Sequence, residues 1–338
     1  MKKIVFACTL VMAVFSLMVL TPAVTFAAKV TLTYSNFFPP THVQSQLAES
    51  WCKEVAKRTE GRVEVQYFPG ETLAKAKQTY DAVTDGIADI GFSLFAYTRG
   101  RFPVIGTIDL PLGYPSGRAA TAAINAVYEK FNPKELDDVQ VMYLHAHGPG
   151  MIHTKDKAVR KLEDMKGLKL RGTGYSAEAI KALGGTPVPM PMPESYQSLQ
   201  KGVVDGGAFP AETNKGWKLG EVVKNATYCY DVAYTTGFYI VMNKDKWNSI
   251  PAKDQKTIQA INKEWQIKHS EAWDNSDAEG IRFFLQQGNA IIGLNAKESQ
   301  RWVKAVAPVI ENYQKELDKK GLDGKAVIDF IKTTLEKY

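Results

Sequence analysis

Few residues of this 338-residue chain are typed and spaced for chemistry. His145 and His147 would point to one side of an extended segment Leu144 to His147, and His153 follows nearby, so zinc is the first chemistry to weigh. A zinc site needs three or four ligands, and no cysteine or acid is spaced to complete this set. An exported metal-dependent hydrolase built on these three histidines is therefore the weaker of two readings, and His42 and His269 stand alone as structural residues. Gly172-Thr173-Gly174 echoes a dinucleotide loop, but the third glycine is missing. No G-x-S-x-G and no phosphate-cradling P-loop occurs anywhere. The expectation is a chain without catalytic residues, metal or cofactor, hence not an enzyme. What remains is Arg171, placed where the run Leu168-Lys169-Leu170-Arg171 ends a strand. A guanidinium there offers a planar fork that matches the two oxygens of a carboxylate, which a lysine cannot copy.

The elements that must position it begin after a leader. Met1-Lys2-Lys3, the apolar stretch Ile4 to Leu20 and the small-residue site Thr25-Phe26-Ala27 follow the grammar of a secretory signal peptide, residues 1–27, with Ala28 as the first mature residue. The apolar stretch is interrupted by Cys8, Thr9 and Ser16 and is short of the roughly 20 residues of a spanning helix. The product is expected in the periplasm. Export leaves Cys52 and Cys229, read as two buried thiols rather than a bridge. Removing Lys2 and Lys3 lowers the net charge of +6 to +4, and basic residues are interspersed with acids, so no nucleic-acid partner is implied.

Val30 to Tyr34 alternates as a strand, His42 to Thr59 as a helix stopped at Gly61, Arg62 to Phe68 as a strand, Leu73 to Asp85 as a helix, and Ala88 to Phe92 as a third strand. The pattern restarts with strands at Gln140 to His145 and Leu168 to Arg171 and helices at Ala177 to Leu183 and Tyr196 to Lys201. The phrase DGIADIG (85–91) and the phrase KGVVDGGAF (201–209) occupy equivalent helix-to-strand positions. The fold class is thus α/β, with two lobes of mixed, mostly parallel sheet flanked by helices. Lobe I takes 28–150 with a returning segment, 237–275, that contains the strand Phe238 to Met242. Lobe II takes 151–236 with C-terminal helices at 276–338. Ala252 to Ala278 reads as a long helix spanning both lobes. Ligands of open α/β sheets sit at the carboxyl ends of the strands, which here means the crevice between lobes.

The phrases DMKGLKLRG and ALGGTPVPMPMPESYQSLQKGVVDGG, within 164–207, resemble the solute-binding proteins of tripartite ATP-independent periplasmic (TRAP) transporters, the DctP-type family. GRVEVQYFPGETLA, DGIADIGF, IDLPLGYPS and YIVMNKDKWNSIP follow in family order, so the resemblance covers the mature chain. It implies an extracytoplasmic protein that captures an organic acid, holds its carboxylate on Arg171, and delivers it to the membrane permease subunits of a TRAP transporter. Departures from the family pattern bear on the ligand. A second arginine of sialic-acid and dicarboxylate binders aligns with Met151. The asparagine of their Q-E-N-P phrase aligns with Phe209, and their Glu, Ser and Arg in the first lobe align with Leu94, Phe95 and Tyr97. With Met192 these residues would line a cleft poor in hydrogen-bonding partners. Each desolvated hydroxyl of a sugar acid would cost ~1–3 kcal/mol there, whereas an aromatic ring would gain ~0.5–1.5 kcal/mol by stacking. The expected ligand is an aromatic or indole-type monocarboxylate, the alternative a C4-dicarboxylate or small hydroxy or keto acid. Asn36, Tyr97, Tyr234 or Asp231 would meet a second polar group, Trp217 would cap the ligand or pack between helices, and Phe38 and Gly174 complete the candidate contacts.

Overall fold

The computed structural model describes residues 29–338; the expected signal segment lies outside the described residues. Eleven strands follow in chain order: β1 (Val30–Asn36), β2 (Val63–Phe68), β3 (Ile90–Leu94), β4 (Val139–Ala146), β5 (Gly150–Thr154), β6 (Lys169–Gly172), β7 (Thr186–Pro189), β8 (Gly206–Pro210), β9 (Asn225–Tyr228), β10 (Gly237–Asn243) and β11 (Ala290–Gly293). They form two mixed sheets flanked by helices, in the orders β2-β1-β3-β10-β4 and β11-β9-β5-β8-β6-β7. In the first, β1, β2 and β3 are parallel and β10 runs antiparallel to both β3 and β4. That insertion matters for the site. Because β10 runs the other way, its first residues arrive at the end of the sheet where β1, β3 and β4 finish.

The two repeated phrases do the same work in the two lobes. Gly86 (φ 73°) and Gly202 (φ 70°) let the chain leave a helix through the left-handed region that favours glycine. The aspartate that follows then ties the next strand to its neighbour: Asp89 Oδ2 accepts the Thr33 N–H of β1 at 2.8 Å, and Asp205 Oδ2 accepts the Lys169 N–H of β6 at 2.8 Å. The second tie sets the height of β6, and with it Arg171.

Helix Val43–Arg58 starts where His42 Nδ1 accepts the Gln44 N–H at 3.2 Å, and buries Ala48, Trp51, Cys52 and Val55 at helical spacing. Between Leu73 and Asp85 only Thr79–Thr84 is α-helical, after a short 3-10 turn. Lys75 is extended there, and Glu71 Oε1 takes the Ala76 N–H at 2.7 Å, which ends helical bonding upstream. Strand β4 stops at Ala146, so His145 and His147 do not share one strand face.

Helix Ala252–Gln286, 35 residues, runs about 52 Å at 1.5 Å per residue. Its first half docks on lobe I, where Trp51 Nε1 donates to Asn262 Oδ1 at 2.8 Å. Farther along, Asp277 Oδ1 accepts the Glu212 N–H of lobe II at 2.8 Å. Helix Ala296–Lys319 packs on lobe II, with Trp302 and Val306 in its core. Helix Gly324–Leu335 corrects the expected division, because it does not stay with lobe II. It is amphipathic, and Val327 and Ile331 join Ile124 and Val127 in the core of lobe I. Cys52 and Cys229 are both buried and free, one in each lobe. No helix among the described residues is long and apolar enough to cross a membrane.

Candidate ligand-binding site

Strands β1, β3, β6 and β8 end at a cavity of about 410 Å³ between the lobes, measured to the atom surfaces and including its mouth. Arg171, next to last on β6, faces it while only 5% exposed. Its Nε–H donates to Met190 O at 3.1 Å, and Nη1–H to Ala208 O at 3.4 Å. The Phe209 ring lies under the guanidinium, 5.3 Å from the ring centre. Gly207 creates the room for this stack, since a Cβ there would lie 2.4 Å from the Phe209 ring and 3.0 Å from Arg171 Cβ. Among the described residues no aspartate or glutamate pairs with Arg171. A buried cation whose partners are carbonyl oxygens is costly to keep, and it is poised for an anion that arrives from outside.

The walls are mostly rings. Phe37 stacks on Trp217 (6.2 Å, 15°), Phe38 packs against Phe37 (4.2 Å) and Trp217 (5.7 Å), and Phe238 stacks on Trp273 (5.1 Å, 26°). Leu94 and Met192 fill between them. Tyr97, from lobe I, accepts the Met192 N–H of lobe II at 2.9 Å, leaving its own O–H free to donate. Burial pushes this phenol up to about 12, against the opposing pull of Arg171. Outside the cavity Arg99 pairs with Glu178 at 2.7 Å. The lobes are therefore closed on one another.

Of the residues expected from the sequence, Arg171, Phe38, Leu94, Tyr97, Met192, Trp217 and Tyr234 come together around the cavity. The others do not line it. Phe209 supports Arg171 from beneath, and Met151 sits opposite Phe209 in the β5–β8 pair, facing a different cleft. Phe95 follows Leu94 and so points the opposite way, into the lobe I core against Phe102 (4.9 Å) and Tyr239 (5.2 Å). Asn36 turns back on its own loop, its Oδ1 accepting the Phe38 N–H at 3.0 Å and its Nδ2 donating to Tyr67 at 2.7 Å. Gly174 (φ 50°) abuts Ala96 and Asp109 beside a neighbouring cavity. Asp231 accepts a hydrogen bond from the Ser299 hydroxyl, on the helix behind the lobe.

The histidines separate as well. His145 stacks on His269 (4.7 Å, 6°) and accepts Trp273 Nε1–H at 2.9 Å; His153 packs against Phe209 (6.0 Å) and Phe284 (5.9 Å). Among the described residues no group of three or more His, Cys, Asp or Glu could hold a metal. Of the proposed zinc trio only His147 reaches the cavity. Its Nδ1–H donates to Gly148 O at 2.6 Å, and burial, helped by the charge of Arg171, depresses it to about 4. It is a neutral ring at pH 7. Sequence reasoning missed Phe37, Phe238, Trp273 and Glu212 as lining residues. The signal for Glu212 was an acid just past the strand end at Pro210.

Two α/β lobes closed on a cavity that holds one unmatched cation are the form of a substrate-binding receptor. The sequence profile of bacterial extracellular solute-binding protein family 7 (DctP) matches residues 34–316, and the chain belongs to that family. It is similar to a TRAP periplasmic solute-binding protein of Desulfovibrio salexigens, at 34% identity and TM-score 0.81, over 92% of this chain and 97% of that one. It is similar to a marine-metagenome TRAP solute-binding protein specific for aromatic acid ligands, in complex with metahydroxyphenylacetate, at 29% identity and TM-score 0.87, over 92% and 99%. It is also similar to a TRAP solute-binding protein of Rhodoferax ferrireducens, in complex with copurified benzoate, at 29% identity and TM-score 0.86, over 91% and 98%. Proteins of this family are periplasmic receptors, not enzymes; they bind small organic acids and work with the membrane permease components of TRAP transporters.

Proposed function

We propose that this receptor captures an aromatic monocarboxylate, with the carboxylate on Arg171 and the ring among Phe37, Phe38 and Trp217. After loss of residues 1–27 the periplasmic protein delivers it to a TRAP permease. The observation that carries the reading is the buried Arg171 guanidinium, which has carbonyl partners only and faces walls of rings. A carboxylate supplies the missing charge and bonds the fork twice, and a ring on the same molecule gains about 0.5–1.5 kcal/mol per stacking contact beyond its area burial. The aromatic acids bound by the two relatives at 29% identity support this choice. A dicarboxylate fits less well, because its second charge would lie among Phe38, Leu94 and Trp217 with no second cation.

A thermal-shift and calorimetric panel on the purified protein tests the proposal. Benzoate, phenylacetate and their hydroxy forms are set against succinate, malate and glucuronate. Ligand at a hundred times its Kd adds about 2.7 kcal/mol of stability, and the aromatic acids are expected to reach that effect at concentrations at least tenfold lower. Succinate or glucuronate binding more tightly than every aromatic acid would overturn it. Mass measurement of the exported protein is expected to give a chain starting at Ala28.

A further inference from the structure

We infer that Glu212 accepts a hydrogen bond from a hydroxyl or N–H on the body of the ligand, and so selects acids that carry a donor away from their carboxylate. This rests on Arg171 taking the carboxylate. Glu212 lies two residues past β8, lines the same cavity as Arg171 and is 3% exposed. The two charges do not pair with each other.

The carboxylate of Glu212 is held by a partner that leaves its charge in place. Its Oε2 meets His42 Nε2 at 3.0 Å. The other ring nitrogen, Nδ1, faces the Gln44 N–H at 3.2 Å. An N–H only donates, so Nδ1 carries a lone pair and the one ring hydrogen sits on Nε2, pointing at Glu212. His42 is then a neutral donor, and the contact is a hydrogen bond without an opposing charge. Oε1 has no partner among the described residues.

The surroundings fix this geometry from behind. Two glycines make the space: a Cβ on Gly216 would lie 2.6 Å from Glu212 Oε2 and 2.7 Å from His42 Nε2, and a Cβ on Gly280 would lie 2.0 Å from Ala211 O and 2.9 Å from Glu212 Cα. The Glu212 N–H is tied to Asp277 at 2.8 Å. A side chain wedged in this way presents Oε1 without further ordering, which is what a recognition group needs.

The remaining polar groups sharpen the demand. His147 spends its ring hydrogen on Gly148 and offers Nε2 as a second pure acceptor. Thr213 commits its hydroxyl hydrogen to Pro210 O at 2.8 Å. Tyr97, Tyr234 and Thr236 can turn either way. The cavity thus holds one charged donor, at Arg171, and two fixed acceptors, Glu212 and Nε2 of His147, among hydroxyls that can turn either way. A second carboxylate on the ligand would meet acceptors and a like charge, which is rejection by mismatch rather than by size.

Calorimetric titration of matched pairs tests the inference: benzoate against 3- and 4-hydroxybenzoate, and phenylacetate against its 3- and 4-hydroxy forms. A hydrogen bond to a charged acceptor is expected to give one hydroxy isomer an advantage of about tenfold or more over its parent. In Glu212→Gln the amide oxygen takes the His42 N–H and turns the NH2 toward the ligand. The hydroxy advantage should then fall to within about twofold and isophthalate should gain. In Glu212→Ala the advantage should fall without the isophthalate gain; because each ratio is taken within one variant, a change in folded fraction cancels. The inference is overturned if no hydroxy isomer is preferred by the wild type, or if the preference survives in both variants. Should only aliphatic acids bind, the aromatic reading fails, and the same ratio on butyrate and 4-hydroxybutyrate decides the role of Glu212. Should no acid bind, both fall together.

Discussion

Replacing Arg171 by methionine should separate binding from stability. The side chain makes two bonds to carbonyl oxygens, Met190 O and Ala208 O, each worth about 1.5–3 kcal/mol when the donor is charged. Against them stands the desolvation of a guanidinium that is 5% exposed, a penalty of several kcal/mol. Methionine has nearly the same reach and can lie on Phe209. The unfolding free energy of ligand-free Arg171→Met is therefore expected within about 1 kcal/mol of wild type, because swapping a buried charge for an apolar side chain is commonly neutral or stabilising. Binding is different. The ligand carboxylate would be left buried without its partner, at a cost of about 2–5 kcal/mol, or roughly 30-fold to several thousandfold in Kd. Arg171→Lys, which keeps the charge and loses the fork, should fall between. Urea unfolding of ligand-free protein and calorimetry with the best aromatic acid read the two quantities apart. A methionine variant that binds within threefold of wild type refutes the anchor. One that loses more than about 3 kcal/mol of stability makes Arg171 a structural residue instead, since that exceeds the usual cost of a point change.

Three further outcomes follow from the same contacts. Tyr97→Phe strands the Met192 N–H whenever the lobes close, at about 1–3 kcal/mol, so the ligand should dissociate about tenfold faster or more and small-angle scattering should show a larger open fraction. Gly280→Ala drives a methyl to 2.0 Å from Ala211 O; the protein should lose about 1–3 kcal/mol of stability, as overpacked sites do, and its preference for hydroxylated acids should weaken as Glu212 shifts. Asp109 is the pH case: burial raises its folded-state pKa to about 8 from 3.8, so the group favours folding fully below pH 3.8 and that contribution is lost as pH rises toward 8. Asp109→Asn keeps the shape and an acceptor for the Gly237 N–H, so its stability relative to wild type should rise between pH 4 and 8, on the order of 1 kcal/mol per pH unit. A difference that is flat or falling over that range contradicts the assignment.

The lobes and the place of Arg171 at the cavity were legible because they rest on local signals. Alternation gave β1, β2 and β6 to within a residue or two, and the repeated Gly-to-Asp phrases marked the two strands, β3 and β8, that sit inside their sheets. An arginine at a strand end facing a crevice follows from the same reading. The walls were only half legible, and strand geometry says why. Neighbouring residues at a strand end face opposite sides, so Leu94 and Phe95 could not both line the cavity. Phe209 is on the right face but lies below the guanidinium rather than beside the ligand space. Trp273 and Phe238 come from a helix and a strand far along the chain, which reach the cavity through the span of Ala252–Gln286 and the antiparallel insertion of β10. The side of the terminal helix was hidden for a similar reason: its apolar stripe records that it packs, but not on which lobe.

The most direct test is a crystal structure of the protein with the tightest-binding acid of the panel. Both carboxylate oxygens are expected about 2.7–2.9 Å from Arg171 nitrogens, the spacing of a charge-assisted fork, with the ligand ring against Phe38 and Trp217. A carboxylate bound elsewhere, with the Arg171 side chain turned out of the cavity, would contradict the account.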